Sequence, residues 1–258
     1  MVRWQVAETL KQDQFGRVER LVAGDVVVLR RVACGSRIPL SGVIARALMR
    51  RERRALRALD GMCGVPRVVE DARAASAPSA DGTVPRVKHV LLRSWIAGAP
   101  LHRAEALPED YFELLDALVH ELHARGVCHN DLHKEQNLVV DPSGRPALID
   151  FQLASVHASG GRLFESRVRD DLRHVQKHRR RYTRDGRGPR GVDARRGAGH
   201  GVRRSRLAAV WRRLGKPAYN FFTRRVLGTR DGEERRDSSG PWPRWTPPVG
   251  RGGPKRGT

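Results

Sequence analysis

Residues 128–137, Cys-His-Asn-Asp-Leu-His-Lys-Glu-Gln-Asn, concentrate titratable and amide groups in one short stretch. Leu-Val-Val, an Asp-Pro-Ser-Gly turn and Ala-Leu-Ile-Asp-Phe-Gln at 147–152 follow. A turn between two short apolar runs predicts an antiparallel hairpin. In a symmetric register 138 pairs with 149 and 140 with 147, which sets Asn137 and Asp150 face to face at the open end, roughly 5 Å apart. An amide oxygen and a carboxylate so placed can share one hard cation. Mg²⁺, which takes few protein ligands and completes its shell with phosphate oxygens, fits that pair. Asp131, on the loop before the hairpin, is placed to accept a proton from an attacking hydroxyl. His133 reads as a structural loop histidine, and Cys128, on an apolar run, as core.

These groups need a scaffold, and the rest of the chain supplies its pattern. Residues 14–31 predict a two-strand hairpin, with Ala-Gly-Asp turning between β-branched runs. Over 41–59, Ile44, Leu48, Ala55, Leu56 and Leu59 recur at helical spacing. Glu52 falls on the same stripe, four residues from both Leu48 and Leu56. A carboxylate on a buried face is costly unless paired, so a cation inside the fold is expected. Residues 64–70 and 87–96 predict two more strands, and the Ala/Ser/Asp/Gly-rich stretch 71–85 between them a mobile loop. Ala-Gly-Ala-Pro at 97–100 interrupts the strand pattern as a hinge. A helix is predicted over 108–125, opened by Pro108, Glu109 and Asp110, buried through Leu114, Leu115, Leu118 and Leu122, and stopped at Gly126. A further helix over 163–182 carries Asp170 and Asp171. The fold class is therefore α+β, a small antiparallel sheet with one helix preceding a mainly helical lobe.

Composition narrows the function classes. At 258 residues and 39% hydrophobic, the chain can bury a core, which argues against wholesale disorder. No apolar run of about 18 residues occurs, so no transmembrane segment is expected, and the first ten residues lack a signal-peptide core. Cys34, Cys63 and Cys128 lie far apart without metal-site spacing, which points to a reducing, cytoplasmic setting. Residues 157–258 hold 28 Lys+Arg against 9 Asp+Glu, so this basic C-terminal part carries +19 of the net +22. Only six of the 50 basic residues are lysines. Coding bias accounts for arginine over lysine, since the near-neutral N-terminal part is equally lysine-poor. The concentration of charge admits RNA or an anionic surface as a partner.

His129-x-Asp131, Asn137 and Ile149-Asp150-Phe151 resemble the catalytic loop and metal-binding strand of the protein-kinase-like superfamily. Asp-Phe-Gln in place of Asp-Phe-Gly is most similar to bacterial RIO-like kinases, and His-Asn-Asp-Leu-His is also similar to aminoglycoside and choline kinases. The resemblance spans roughly residues 14–180 and implies a bilobal kinase-like fold. It implies transfer of the γ-phosphoryl of ATP, with Mg²⁺ or Mn²⁺, to a hydroxyl acceptor of the protein Ser/Thr class. Asp131 and His129 would be catalytic, Asn137 and Asp150 metal ligands, and Gly16 the remnant of a glycine-rich loop. Trp95, Ile96 and Ala97 would form the adenine hinge. The cation for Glu52 would come from the third strand and grip the phosphates; no lysine occurs there, so Arg30 is chosen, with Arg31 next.

Departures from the family pattern are specific. Asp131 and Asn137 stand six steps apart rather than five; Gln136 would restore the count, but Asn137 keeps the hairpin geometry. Twelve residues separate Asp150 from the last helical pattern at Leu163, without Ala-Pro-Glu, so no long activation segment is expected. Asp171 is the candidate to brace the catalytic loop. The expected organisation is an N-lobe over 1–96, a minimal C-lobe over 97–182, a basic linker over 183–206, an amphipathic basic segment over 207–229 and a disordered tail over 230–258. Two rival readings stand beside the kinase: a catalytically weak nucleotide-binding pseudokinase, and an RNA- or ribosome-associated interaction protein dominated by its tail.

Overall fold

The computed structural model describes residues 3–35 and 39–183. The linker, amphipathic segment and tail expected beyond 183 lie outside the described residues.

β1 (Gln5–Asp13) was not foreshadowed by any hydrophobic alternation, because almost every residue in it is exposed. It is the edge strand, paired antiparallel with β2 (Gly16–Ala23) and irregular in register at Val6/Glu8 and Thr9/Lys11. β2 turns through Gly24-Asp25 into β3 (Val26–Val32), with Ala23 opposite Val26. Gly24 has φ 60°, a conformation that glycine adopts without strain. α1 (Ser41–Ala58), β4 (Val68–Val69), the short α2 (Ala72–Ser76) and β5 (Val90–Ser94) complete the lobe. The sheet order is β1-β2-β3-β5-β4, antiparallel throughout.

Strand alternation divides this sheet into two faces. Val28, Val32, Val90 and Leu92 pack with Ala74, Ala75 and Ala77 on one side. Leu91 packs with Ala33 and with Ala45 and Met49 of α1 on the other. The buried stripe of α1 is Ala45, Met49, Glu52, Ala55 and Leu56, rotated from the expected one so that Ile44 faces solvent.

Of the stretch expected as a mobile loop, 71–85, Ala74, Ala75 and Ala77 pack against the sheet and Ser79 is buried, whereas residues 80–84 are exposed. Asp71 caps α2 by accepting the Arg73 and Ala74 amides at 2.8 and 3.0 Å. Arg30 enters the same layer, because it shares the parity of Val28 and Val32. Its guanidinium donates to Glu19 at 2.9 Å, to the carbonyls of Ala74 at 3.1 Å and Ala77, and to Ser79 Oγ at 3.0 Å. Arg30 and Glu19 are both sealed from solvent.

The second lobe comprises β6 (Ala99–Pro100), α3 (Tyr111–Ala124), β7 (Val127–Cys128), β8 (Leu138–Val140), β9 (Pro146–Leu148), β10 (Ser155–Val156) and α4 (Arg162–Tyr182). β6-β8-β9 form one small sheet and β7 pairs with β10. α3 begins three residues later than expected, because Pro108 and its neighbours form a turn closed by the Tyr111 N–H at 3.2 Å. Leu115 and Leu122 are fully buried, whereas Leu114 and Leu118 are half-buried. Leu115, Leu118 and Leu122 meet Leu132, Leu148, Phe151 and Val175 in the main core. Gly98 (φ 134°) lies so close to β8 that a Cβ there would stand 2.2 Å from the Val140 carbonyl oxygen. The chain is thus α+β and bilobal, a small antiparallel sheet with one long helix followed by a mainly helical lobe.

Candidate active site

α4 holds the loop at 129–135 by one face. Asp171, Val175, His178 and Tyr182 are buried at helical spacing, and three of them bond the loop. Asp171 accepts the backbone amides of His129 and Asn130 at 2.8 and 2.9 Å, and lies 3.2 Å from His123 Nε2. This is the bracing role for which it was a candidate. His178 Nε2 donates to the Leu132 carbonyl at 2.8 Å. Glu135, buried inside the loop, accepts from Arg181 at 3.0 Å and from the Tyr182 hydroxyl. The extra residue between Asp131 and Asn137 is thereby absorbed in a 3-10 turn over Glu135–Asn137 whose first side chain is anchored to the helix.

Burial alone would raise the Glu135 carboxyl, but the bonds from His178 and Tyr182 and the charge of Arg181 hold it below its ordinary 4.5. A depressed pKa adds stability above the unfolded value and loses it as pH falls through the folded one. Denaturant titrations should therefore show wild type ahead of Glu135→Gln at neutral pH, with the gap closing below about pH 4.5. A gap unchanged down to about pH 3 would contradict this electrostatic account.

Asp131 is buried beside an imidazole and an ammonium, with His133 Nδ1 3.1 Å from Oδ1 and Lys134 Nζ 3.2 Å from Oδ2. Asn137 Nδ2 donates to Asp131 Oδ2 and to its carbonyl, both at 3.0 Å. Its nitrogen is committed, so its amide oxygen is the atom available to a cation. His129 donates Nε2–H to the Ile149 carbonyl at 3.0 Å and packs its ring 4.7 Å from Phe151. It ties the loop to the hairpin.

The hairpin register differs from the symmetric one by one residue. Leu138 pairs with Leu148 and Val140 with Pro146, because Pro146 joins the second strand and the connection closes at Arg145, whose amide donates to the Asp141 carboxylate at 2.8 Å. Asn137 therefore pairs with Ile149, whose N–H reaches the Asn137 carbonyl at 3.0 Å. Asp150 stands one residue further on, in the left-handed region at φ 66°. Gln152 Nε2 donates to Asp150 Oδ1 at 2.6 Å, which leaves Oδ2 for another partner. Burial pushes the Asp150 carboxyl up, but Arg31 and Arg93, with the Gln152 bond and Lys134, outweigh it and keep the carboxyl below its usual range.

Glu52 does have cationic partners, and Arg30 is not one of them. Arg31 donates to Glu52 Oε2 at 3.3 Å, and Arg93 of β5 donates to Oε1. The reason is strand alternation: Arg31 and Arg93 share the α1 face, whereas Arg30 points to the opposite layer. Arg93 was missed by the sequence reading. The signal was present, since it stands two residues from Leu91 in an apolar strand. Arg51, the neighbour of Glu52, donates to the carbonyls of Ala154 at 2.5 Å and Leu153 at 2.8 Å. α1 is thus fixed to the chain just past Asp-Phe-Gln.

Gly16 lies at the β1–β2 turn with φ 140°, and a Cβ there would meet the Val32 carbonyl oxygen at 2.0 Å. Its need for glycine is explained by that close approach. Trp95, Ile96 and Ala97 form the crossing between β5 and β6, with Trp95 and Ala97 exposed and Arg20 stacked 6.0 Å from the Trp95 ring.

Comparison with known proteins gives two similarities. The pattern of the phosphotransferase enzyme family (APH) matches residues 71–158. CBL-interacting serine/threonine-protein kinase 15 of Arabidopsis thaliana is 32% identical over 179 residues, which is 68% of this chain and 38% of that protein. The chain therefore spans well under half the length of this relative. With the bilobal fold, these partial similarities support a protein-kinase-like chain. No helix among the described residues is long and apolar enough to cross a membrane.

Proposed function

We propose that the protein is a RIO-like kinase that moves the γ-phosphoryl of Mg-ATP to a hydroxyl, with protein serine or threonine as the acceptor class. The observation that carries this reading is the bonded Asp131–Asn137 pair on a loop held by α4, with Asp150 one residue beyond the Asn137–Ile149 pair of the hairpin. Asp131 would accept the acceptor's proton, with Lys134 balancing its charge. His129 would position the loop. Asn137 Oδ1 and Asp150 Oδ2 are hard oxygen donors suited to Mg²⁺ or Mn²⁺. Bound there, the ion supplies charge neutralisation at the phosphate oxygens. Arg31, not Arg30, would meet the phosphates while paired with Glu52, and residues 95–97 would receive the adenine. Only residues 151–161 separate Asp150 from α4, which supports a RIO-like chain with no long activation segment. The same reading divides the chain into an N-lobe over 1–96 and a C-lobe over 97–182. The free thiols of Cys34, Cys63 and Cys128 accord with a reducing, cytoplasmic setting.

ATP should raise the melting temperature only with Mg²⁺ or Mn²⁺ present, since a ligand stabilises by binding the native state. Asp150→Asn should abolish that metal dependence. Equal stabilisation by ATP in excess EDTA would remove Asn137 and Asp150 from the metal role. The arginine at the phosphate position also favours a second reading, a nucleotide-binding module without turnover, which substitution of Asp131 separates.

A further inference from the structure

Arg93 has no task in the scheme above beyond contact with Glu52, yet it is unusually placed. It lies on β5 two residues before Trp95, and its register partners are Leu29 of β3 and Val68 of β4. The side chain is buried, and its guanidinium spends one N–H on Glu52 Oε1. Its Nε–H is buried with no hydrogen-bond partner among the described residues. Arg31 likewise gives a single N–H to the other Glu52 oxygen. One carboxylate thus holds two guanidiniums side by side, on the face of the sheet nearest Asp150.

A buried N–H without a partner is costly. Evolving an arginine solely to pair with Glu52 would be redundant, because Arg31 already does so. The donors left on a planar, permanently charged fork match the oxygens of a phosphate chain. We propose that Arg93 is a second phosphate-binding residue, forming with Arg31 a twin-arginine clamp, steadied by Glu52, that selects polyphosphate nucleotides over monophosphates. The clamp rests on the phosphotransferase reading and adds a specificity residue to it. Arg93 supplies the orphaned Nε–H and Arg31 supplies the paired charge, so the phosphate chain meets two forks instead of one ammonium.

The test is calorimetric titration of the full chain with ATP and with AMP, both in Mg²⁺, for wild type, Arg93→Leu and Arg93→Lys. Arg93→Leu leaves Glu52 paired with Arg31, so the fold should survive, and circular dichroism verifies it. The ATP-over-AMP preference should fall at least about tenfold in Arg93→Leu with AMP affinity unchanged, as loss of a charge-assisted bond implies. Arg93→Lys should recover part of the preference, since charge returns without the fork. A purely structural Arg93 would leave the ratio unmoved, and a ratio within about twofold of wild type in folded Arg93→Leu would overturn the clamp alone. Should Arg93→Leu fail to fold, the lysine variant decides: a wild-type ratio there overturns the clamp, and a reduced one supports it. Wild type that binds neither nucleotide would overturn the phosphotransferase reading and the clamp together.

Discussion

Asp131→Asn should leave the affinity for Mg-ATP close to wild type while turnover falls by on the order of 10²–10⁴-fold. The substitution keeps the shape of the side chain and an oxygen for the Asn137 amide, so the loop should hold. What it removes is the group that takes the proton, together with the negative charge between His133 and Lys134. Phosphate-release or acceptor-phosphorylation rates measured beside calorimetric ATP binding would separate the two effects. Full activity in the variant would end the general-base assignment. A wild-type protein that binds ATP without turnover on any hydroxyl acceptor would favour the nucleotide-binding module.

A comparable loss, in stability instead of rate, is expected at Arg30. Arg30→Met should cost about 3–5 kcal/mol, the range for breaking a buried ion pair by removing one partner. Glu19 would be left sealed from water with Arg17, 3.3 Å away, as its remaining cation among the described residues. The carbonyls of Ala74 and Ala77 and the hydroxyl of Ser79 would lose their donor as well. Replacing both charges, in Arg30→Met with Glu19→Leu, should restore a large part of the loss, because an apolar pair needs no counter-charge. Urea denaturation of the single and double variants measures this coupling. Folded Arg30→Met should still bind ATP normally. Reduced ATP affinity with unchanged stability would instead return Arg30 to the phosphate site.

Much of the fold was legible where one periodicity dominated. α1 and α4 were legible as helices, and Glu52 stood out because a carboxylate interrupted an apolar stripe, although the face that α1 buries is rotated from the expected one. β1 was hidden because an exposed edge strand has no buried face to set an alternation. In the hairpin, Asp-Pro-Ser-Gly identified the turn but not its length, and Pro146, by pairing with Val140, shortens the connection to 141–145 and shifts the register. Arg30 and Arg31 are adjacent cations on one strand. Only the side of the sheet on which α1 packs decides between them, and that is a tertiary fact. The role of Glu135 was equally out of reach, since its partners on α4 lie more than 40 residues away.

The bonds from Arg51 to the carbonyls beyond Asp-Phe-Gln bear on which shapes the cleft can take. A helix held by a single ion pair can swing outward once that pair opens. Here consecutive residues fasten α1 in two directions, Glu52 to the sheet and Arg51 to the segment at 153–154, so outward displacement must break both sets of bonds together. A small molecule that needs a vacated space behind the helix would meet that combined resistance. One shaped for the crossing at 95–97 and carrying an anionic group toward Arg31 and Arg93 would not. On the proposed nucleotide-binding role, inhibitor chemistry should therefore begin from compact, acidic adenine mimics.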